Sequence, residues 1–261
     1  MLFDLTGKRK HVVRVVYAIL ALLMGASLFL VIGPFNLANV INTGNSVSTS
    51  TALDEHAERI EQQLRKDPTD EALLLALTRT RINAGITLCV DPETGDQAAT
   101  PEGQAEFEQG LQAWGKYVKH SAGDPNPVLA QLAAETYFRR AEYLAESSNE
   151  ISEIEGAIEN AAVAQRLAVQ SKRDANSLSV LAFYEYFVGN FSEGDKVAKT
   201  AVKLSGSPQA KKQLESYRKN AKAWQKQKKE FAKAEREQGK EALQNPLGGL
   251  GGSSSGTGLT P

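Results

Sequence analysis

The stretch from Ala175 to Pro208 reads ANSLSVLAFYEYFVGNFSEGDKVAKTAVKLSGSP, and its spacing decides the fold. Leu178, Leu181 and Ala182 recur at helical intervals, and after Gly189 and Phe191 the series resumes with Gly194, Ala198, Ala201 and Leu204. Apolar and small residues three, four and seven apart mark one face of a helix, so the segment reads as two helices. Gly189-Asn190 between them has the chemistry of a helix C-terminus closed by a residue with φ > 0. Ser192 has the chemistry of the next N-cap. Small residues on both segments let the two helices cross closely.

Working outward, two earlier units carry the same phase with insertions. Asp67-Pro68 breaks the chain, then Leu74, Leu77, Thr78 and Gly85 take the same relative places, and Phe107, Gly110, Trp114 and Tyr117 continue the series. Pro125 and Pro127 open a further helix with Leu129, Leu132 and Ala133, continued by Ala157, Ala161, Ala164 and Leu167. Helix-pair periods of this length are the signature of a solenoid. The spacings over residues 67–208 resemble the tetratricopeptide repeat, although the proline at 208 comes two residues later than that pattern has it. The resemblance implies an all-α stack of antiparallel helix pairs. It also implies that the first helix of each pair lines a concave face.

By that resemblance the face carries Leu75, Arg79 and Ile82, then Ala130, Ala134, Tyr137 and Phe138, then Asn176, Ser179, Phe183, Tyr186 and Phe187. Tyr137, Phe138, Phe183, Tyr186 and Phe187 are the candidate partner-binding residues, because aromatics anchor interfaces. Aromatics equally supply core area, so the groove reading and a core reading stand side by side. The set of Lys, Asn and Arg with which one subclass of such repeats clamps a C-terminal carboxylate is absent from these positions.

The body is flanked by distinct segments. Residues 54–66 are expected to cap the array at its front. Residues 208–243 carry Leu214, Tyr217, Ala221, Trp224 and Phe231 as one apolar stripe on a helix with eleven Lys/Arg and five Glu. Covering the last repeat is the favoured reading, ahead of a helix for nucleic acid or anionic lipid. The helical domain is thus placed at 54–243 and a Gly/Ser-rich, uncharged tail at 244–261.

The N-terminal part differs again. Val12 to Gly33 reads VVRVVYAILALLMGASLFLVIG, about 33 Å of helix, enough for a hydrocarbon core of about 30 Å. Residues 12–35 are therefore expected to be a transmembrane helix, with Arg14 reaching back to the headgroups. The tail of residues 1–11 holds Lys8, Arg9, Lys10 and His11, and after Arg14 no Lys or Arg recurs until Arg59. The positive-inside rule then keeps the N-terminus cytoplasmic and the rest extracytoplasmic, at the plasma or bacterial inner membrane. A cleaved signal peptide fits less well, since the apolar run is long and Asn36-Leu37-Ala38 is a poor cleavage site. Residues 36–53, rich in Asn, Ser, Thr and Gly and without charge, read as a flexible stalk.

Charge and composition narrow the function. The formal net charge is -1, yet residues 1–52 carry a surplus of three positive charges and 208–243 a surplus of six, so the stretch between is strongly acidic. The single cysteine, Cys89, excludes an internal disulfide and reads as a packed small apolar residue. No P-loop, dinucleotide fingerprint, nucleophile elbow or zinc motif occurs. Asp91 to Glu102 has the acidic content of a calcium loop, but its glycine comes one place early and proline fills the second position. The chain reads as a non-enzyme without cofactor or metal. It reads as a membrane-tethered scaffold or chaperone-like adaptor for a protein or peptide, with nucleic acid disfavoured. The alternative is a self-associating structural envelope protein. The layout resembles ancillary proteins of secretion and envelope assembly.

Overall fold

A computed structural model of the chain describes residues 46–90, 98–121, 123–147 and 151–244. Among the described residues eight helices follow one another: α1 (Ser46–Leu64), α2 (Glu71–Leu88), α3 (Pro101–His120), α4 (Pro127–Ser147), α5 (Ile151–Ser171), α6 (Ala175–Val188), α7 (Phe191–Ser205) and α8 (Pro208–Gln244). No strand occurs among the described residues; Val90 makes an isolated bridge. The all-helical expectation is met. The expected membrane span at 12–35, the stalk up to residue 45 and the tail from 245 lie outside the described residues. Among the described residues no helix is long and apolar enough to cross a membrane.

Local chemistry sets the boundaries. The Asp70 carboxylate accepts from the backbone N–H of Leu73 at 3.0 Å and caps α2. Thr100 caps α3 by accepting from Gly103 N–H at 3.1 Å, while its hydroxyl donates to the Leu88 carbonyl at 3.0 Å, tying the end of α2 to the start of α3. Asn126 accepts from the N–H groups of Val128 and Leu129 ahead of Pro127, and Asp174 accepts from Ser177 at the start of α6. Each such cap contributes about 1 kcal/mol. Gly189 closes α6 at φ 97°, the left-handed turn read from the sequence. One cap differs: α7 begins at Phe191, and its N-cap is Asn190, without a side-chain bond, instead of Ser192.

α2 packs on α3, α4 on α5 and α6 on α7, with α1 against α2 and α8 against α6 and α7. Small residues permit the close crossings. A Cβ on Gly85 would lie 2.5 Å from the Phe107 ring, one on Gly110 2.8 Å from Ile82, and one on Gly194 2.6 Å from the Tyr186 ring. Between α4 and α5 alanine does the same job: Ala134, Ala141, Ala161 and Ala164 are all buried. The main core runs through α2 to α8, with two smaller apolar clusters at the α1–α3 end. Cys89 is buried in one of these, beside Ile82, Ile86 and Phe107. The calcium-like segment at 91–97 lies outside the described residues.

The front cap starts earlier than expected. α1 begins at Ser46, eight residues inside the segment read as stalk. Ala57 and Ile60 are buried against Leu77 and Ala113, so the helix is nucleated there by packing. Extending it backwards adds one hydrogen bond per residue fixed. A buried arginine locks this end: Arg81 of α2 reaches Asp54 at 2.6 Å and Glu61 at 2.8 Å on α1, and Glu106 at 3.1 Å on α3. Burial alone would lower the Arg81 pKa, but Glu61, Asp54 and Glu106 outweigh it and leave it raised.

Candidate binding face

The aromatic residues singled out in the sequence come together, but as core. Phe183 stands at the centre, with ring centroids of Phe187 at 4.7 Å, Tyr217 at 5.0 Å, Phe138 at 5.3 Å and Tyr184 at 5.5 Å. Phe183 is 7% exposed, Phe187 4%, Tyr186 2% and Phe138 1%. Tyr137 alone of the five is half-buried, packed against the same cluster. Two causes bury them. α8 lies along α6 and lays Tyr217 on Phe183, and Phe138 of α4 wedges against both Phe183 and Tyr184. The open aromatic wall drawn from the repeat phase is therefore corrected, and its core alternative describes these side chains.

Tyr186 serves a different contact. Its ring covers Gly194, and its hydroxyl donates to Asp195 at 3.0 Å. Asp195 also accepts two bonds from Arg218 of α8, at 2.7 and 2.9 Å. Arg218 foremost, and then Tyr186 and Lys222, hold the Asp195 carboxyl below the ordinary carboxylate range against a smaller opposing effect of burial. Glu185, fully buried, is satisfied by Arg166 at 2.6 and 2.9 Å and by Asn190 at 3.0 Å. Glu155 of α5 pairs with Lys228 of α8. These pairs fasten α5, α6, α7 and α8 together.

The face that remains open is polar. On α4, Gln131, Glu135, Arg139 and Glu142 recur at i, i+4, i+8 and i+11 and are all half-buried. That spacing puts them in one line along the helix. The neighbouring line named from the repeat phase, Ala130 and Ala134, is fully buried. On α2 the corresponding open line holds Arg79, exposed, with Leu75 and Asn83 half-buried, while Ile82 is fully buried. On α6, Asn176 and Ser179 are half-buried, and the Ser179 hydroxyl is spent on the Ala175 carbonyl.

Beneath the α4 line sits Tyr184, 1% exposed, whose hydroxyl has no hydrogen-bond partner. Burial pushes that hydroxyl well above its usual pKa, and the nearby charges of Glu135 and Glu142 push it further. Glu135 is itself raised by burial, partly offset by Arg139 and by a 3.4 Å bond from Gln131. Among the described residues Gln165 Oε1 and Trp224 Nε1 are the other buried side-chain atoms without a partner. Gln165 is half satisfied, donating to the Ser177 carbonyl at 2.9 Å. Among the described residues no three His, Cys, Asp or Glu are grouped as metal ligands.

No family model, no curated protein and no solved structure matches this chain.

Proposed function

We propose that the chain is a membrane-tethered adaptor of the tetratricopeptide type whose α4 line holds a polypeptide segment. The observation that supports this most is the Tyr184 hydroxyl. A buried donor left unmade costs about 1–3 kcal/mol, and here it lies under half-buried polar side chains that solvent reaches. A partner carbonyl entering between α4 and α6 would supply the missing acceptor. Glu135 and Glu142, about 10 Å apart along the helix, favour a cationic side chain on that partner, and Arg139 between them favours a neighbouring acid or carbonyl. The apolar run from Val12 to Gly33 and the basic residues before it support the tether, with the repeats on the extracytoplasmic side.

The test places a photo-activated cross-linking residue at Gln131 and, as a control, at Val163, which is 50% exposed on α5. Illumination of membranes from the producing cell should give a discrete adduct from position 131 and none from 163. An adduct of twice the chain's mass would make the partner a second copy. Equal adducts from both positions, or none from 131, would remove the reading.

A further inference from the structure

The surface of α8 that faces away from the body is a lysine face. Leu214, Ala221 and Trp224 are buried on one side of the helix. Lys211, Lys212, Lys219, Lys222, Lys226 and Lys229 are all exposed, and at 100° per residue they fall within a sector about 100° wide on the opposite side. Between residues 211 and 230 two acids share that sector: Glu215, 3.9 Å from Lys211, and Glu230, 4.0 Å from Lys226. Lys212, Lys219 and Lys229 meet no carboxylate among the described residues. Lys222 lies over the Phe191 ring and acts on Asp195, so three positive charges, those of Lys212, Lys219 and Lys229, are uncompensated along about 26 Å of helix, on a chain whose remaining body is acidic.

We propose that this face lies on an anionic phospholipid surface and orients the helical array against the membrane. The reading of residues 12–35 as a tether underlies the inference. Charge complementarity supplies the first argument, since each lysine near an anionic surface is attracted to it and several in one plane act together. Length supplies the second. Only ten residues separate Phe35 from the start of α1 at Ser46, and a chain of that length reaches about 35 Å at most, so a tethered array stays near the headgroups. The third is composition: the sector holds lysine and no arginine or aromatic ring. A single-stranded nucleic acid would be met by stacking platforms that this face lacks, whereas lipid phosphates need only point charges.

The experiment reconstitutes the full chain into vesicles of phosphatidylcholine and, separately, of phosphatidylcholine with phosphatidylglycerol. Flotation tests the tether: the chain should float with both compositions. An impermeant amine reagent then reads Lys212 and Lys219 by mass spectrometry. Their modification should slow roughly tenfold on the anionic vesicles at low salt, as when nine-tenths of the helices lie on the surface, and recover at high salt. Lys116 and Lys119 on α3 serve as internal controls and should change little. Lys212→Glu with Lys219→Glu should abolish the protection of Lys222 and Lys226. Equal modification on both lipids, with flotation intact, overturns the lysine-face proposal and leaves the tether standing. Failure to float with neutral vesicles overturns the tether. Protection by an added oligonucleotide but not by anionic vesicles would assign the face to nucleic acid and overturn the proposal.

Discussion

Truncating Phe183 to alanine separates the two readings of the aromatic cluster. The ring is 7% exposed and meets four other rings within 5.5 Å, contributed by α4, α6 and α8. Removing a buried phenylalanine leaves a cavity and costs about 3–5 kcal/mol. The upper half of that range applies here, because neighbours on three helices cannot all collapse into one hole, and the lost ring pairs each carry about 0.5–1.5 kcal/mol. A loss of about 4 kcal/mol is a large share of the 5–15 kcal/mol that holds a typical domain. For a body of about 200 residues it corresponds to a melting temperature lower by roughly 8–16 °C. Urea denaturation of the full chain in detergent, followed by helical circular dichroism, should show the midpoint falling with an unchanged slope. Phe183→Leu should lose much less. A loss under about 1 kcal/mol, with partner capture abolished, would refute the core assignment and restore the aromatic groove.

Arg81→Ala should cost about 1.5–3 kcal/mol, because it leaves the largely buried Glu106 carboxylate without its charged partner while the more exposed Asp54 and Glu61 return to water; the readout is the denaturation midpoint, with α1 becoming the first segment to exchange its amide hydrogens. Gly189→Val, at φ 97°, should cost about 1–3 kcal/mol by the same measurement, and a neutral result would mean the turn tolerates a side chain. Asp195 has a depressed pKa in the folded chain, so its pairing with Arg218 contributes stability above the ordinary carboxylate range and loses it as pH falls through the folded value. The stability gap between the wild-type chain and Asp195→Asn should therefore be constant above about pH 5 and narrow below about pH 4. Glu106, raised by burial against the opposing pull of Arg81, works with the other sign: its ionisation opposes folding progressively as pH rises through its folded pKa.

The helix pairs were legible because they rest on local chemistry. Asp67-Pro68, Pro127 and Gly189 act on the backbone within a few residues, and each stands where a helix begins, breaks or ends. The exposure of α6 was harder to read. Leu178, Val180, Leu181, Phe183, Tyr184 and Phe187 surround the helix, and a helix apolar on all sides is a buried one. That signal was present, but the repeat phase assigned one side of the helix to a groove. On α4 the same phase fell one residue out, naming Ala130 and Ala134 where Gln131 and Glu135 face solvent. The polar spacing of 131, 135, 139 and 142 could have corrected it. The Arg81 clamp could not be seen, since its partners come from helices 20 to 27 residues away and only packing brings them together.

The α4 line over Tyr184 is proposed to bind a polypeptide carrying a basic residue. Selecting peptides from a random library on the full chain, and then measuring the affinity of a selected peptide for variants, tests it most directly. Enriched peptides should carry Lys or Arg, and Glu142→Gln should weaken them by about tenfold or more, the cost of one lost charge-assisted bond of about 1.5–3 kcal/mol. Tyr184→Phe should weaken them by a smaller factor without lowering the melting temperature, and Val163→Ala should leave affinity unchanged. Selected peptides whose affinity ignores Glu142 and Tyr184 would mean that the α4 line is not the binding site.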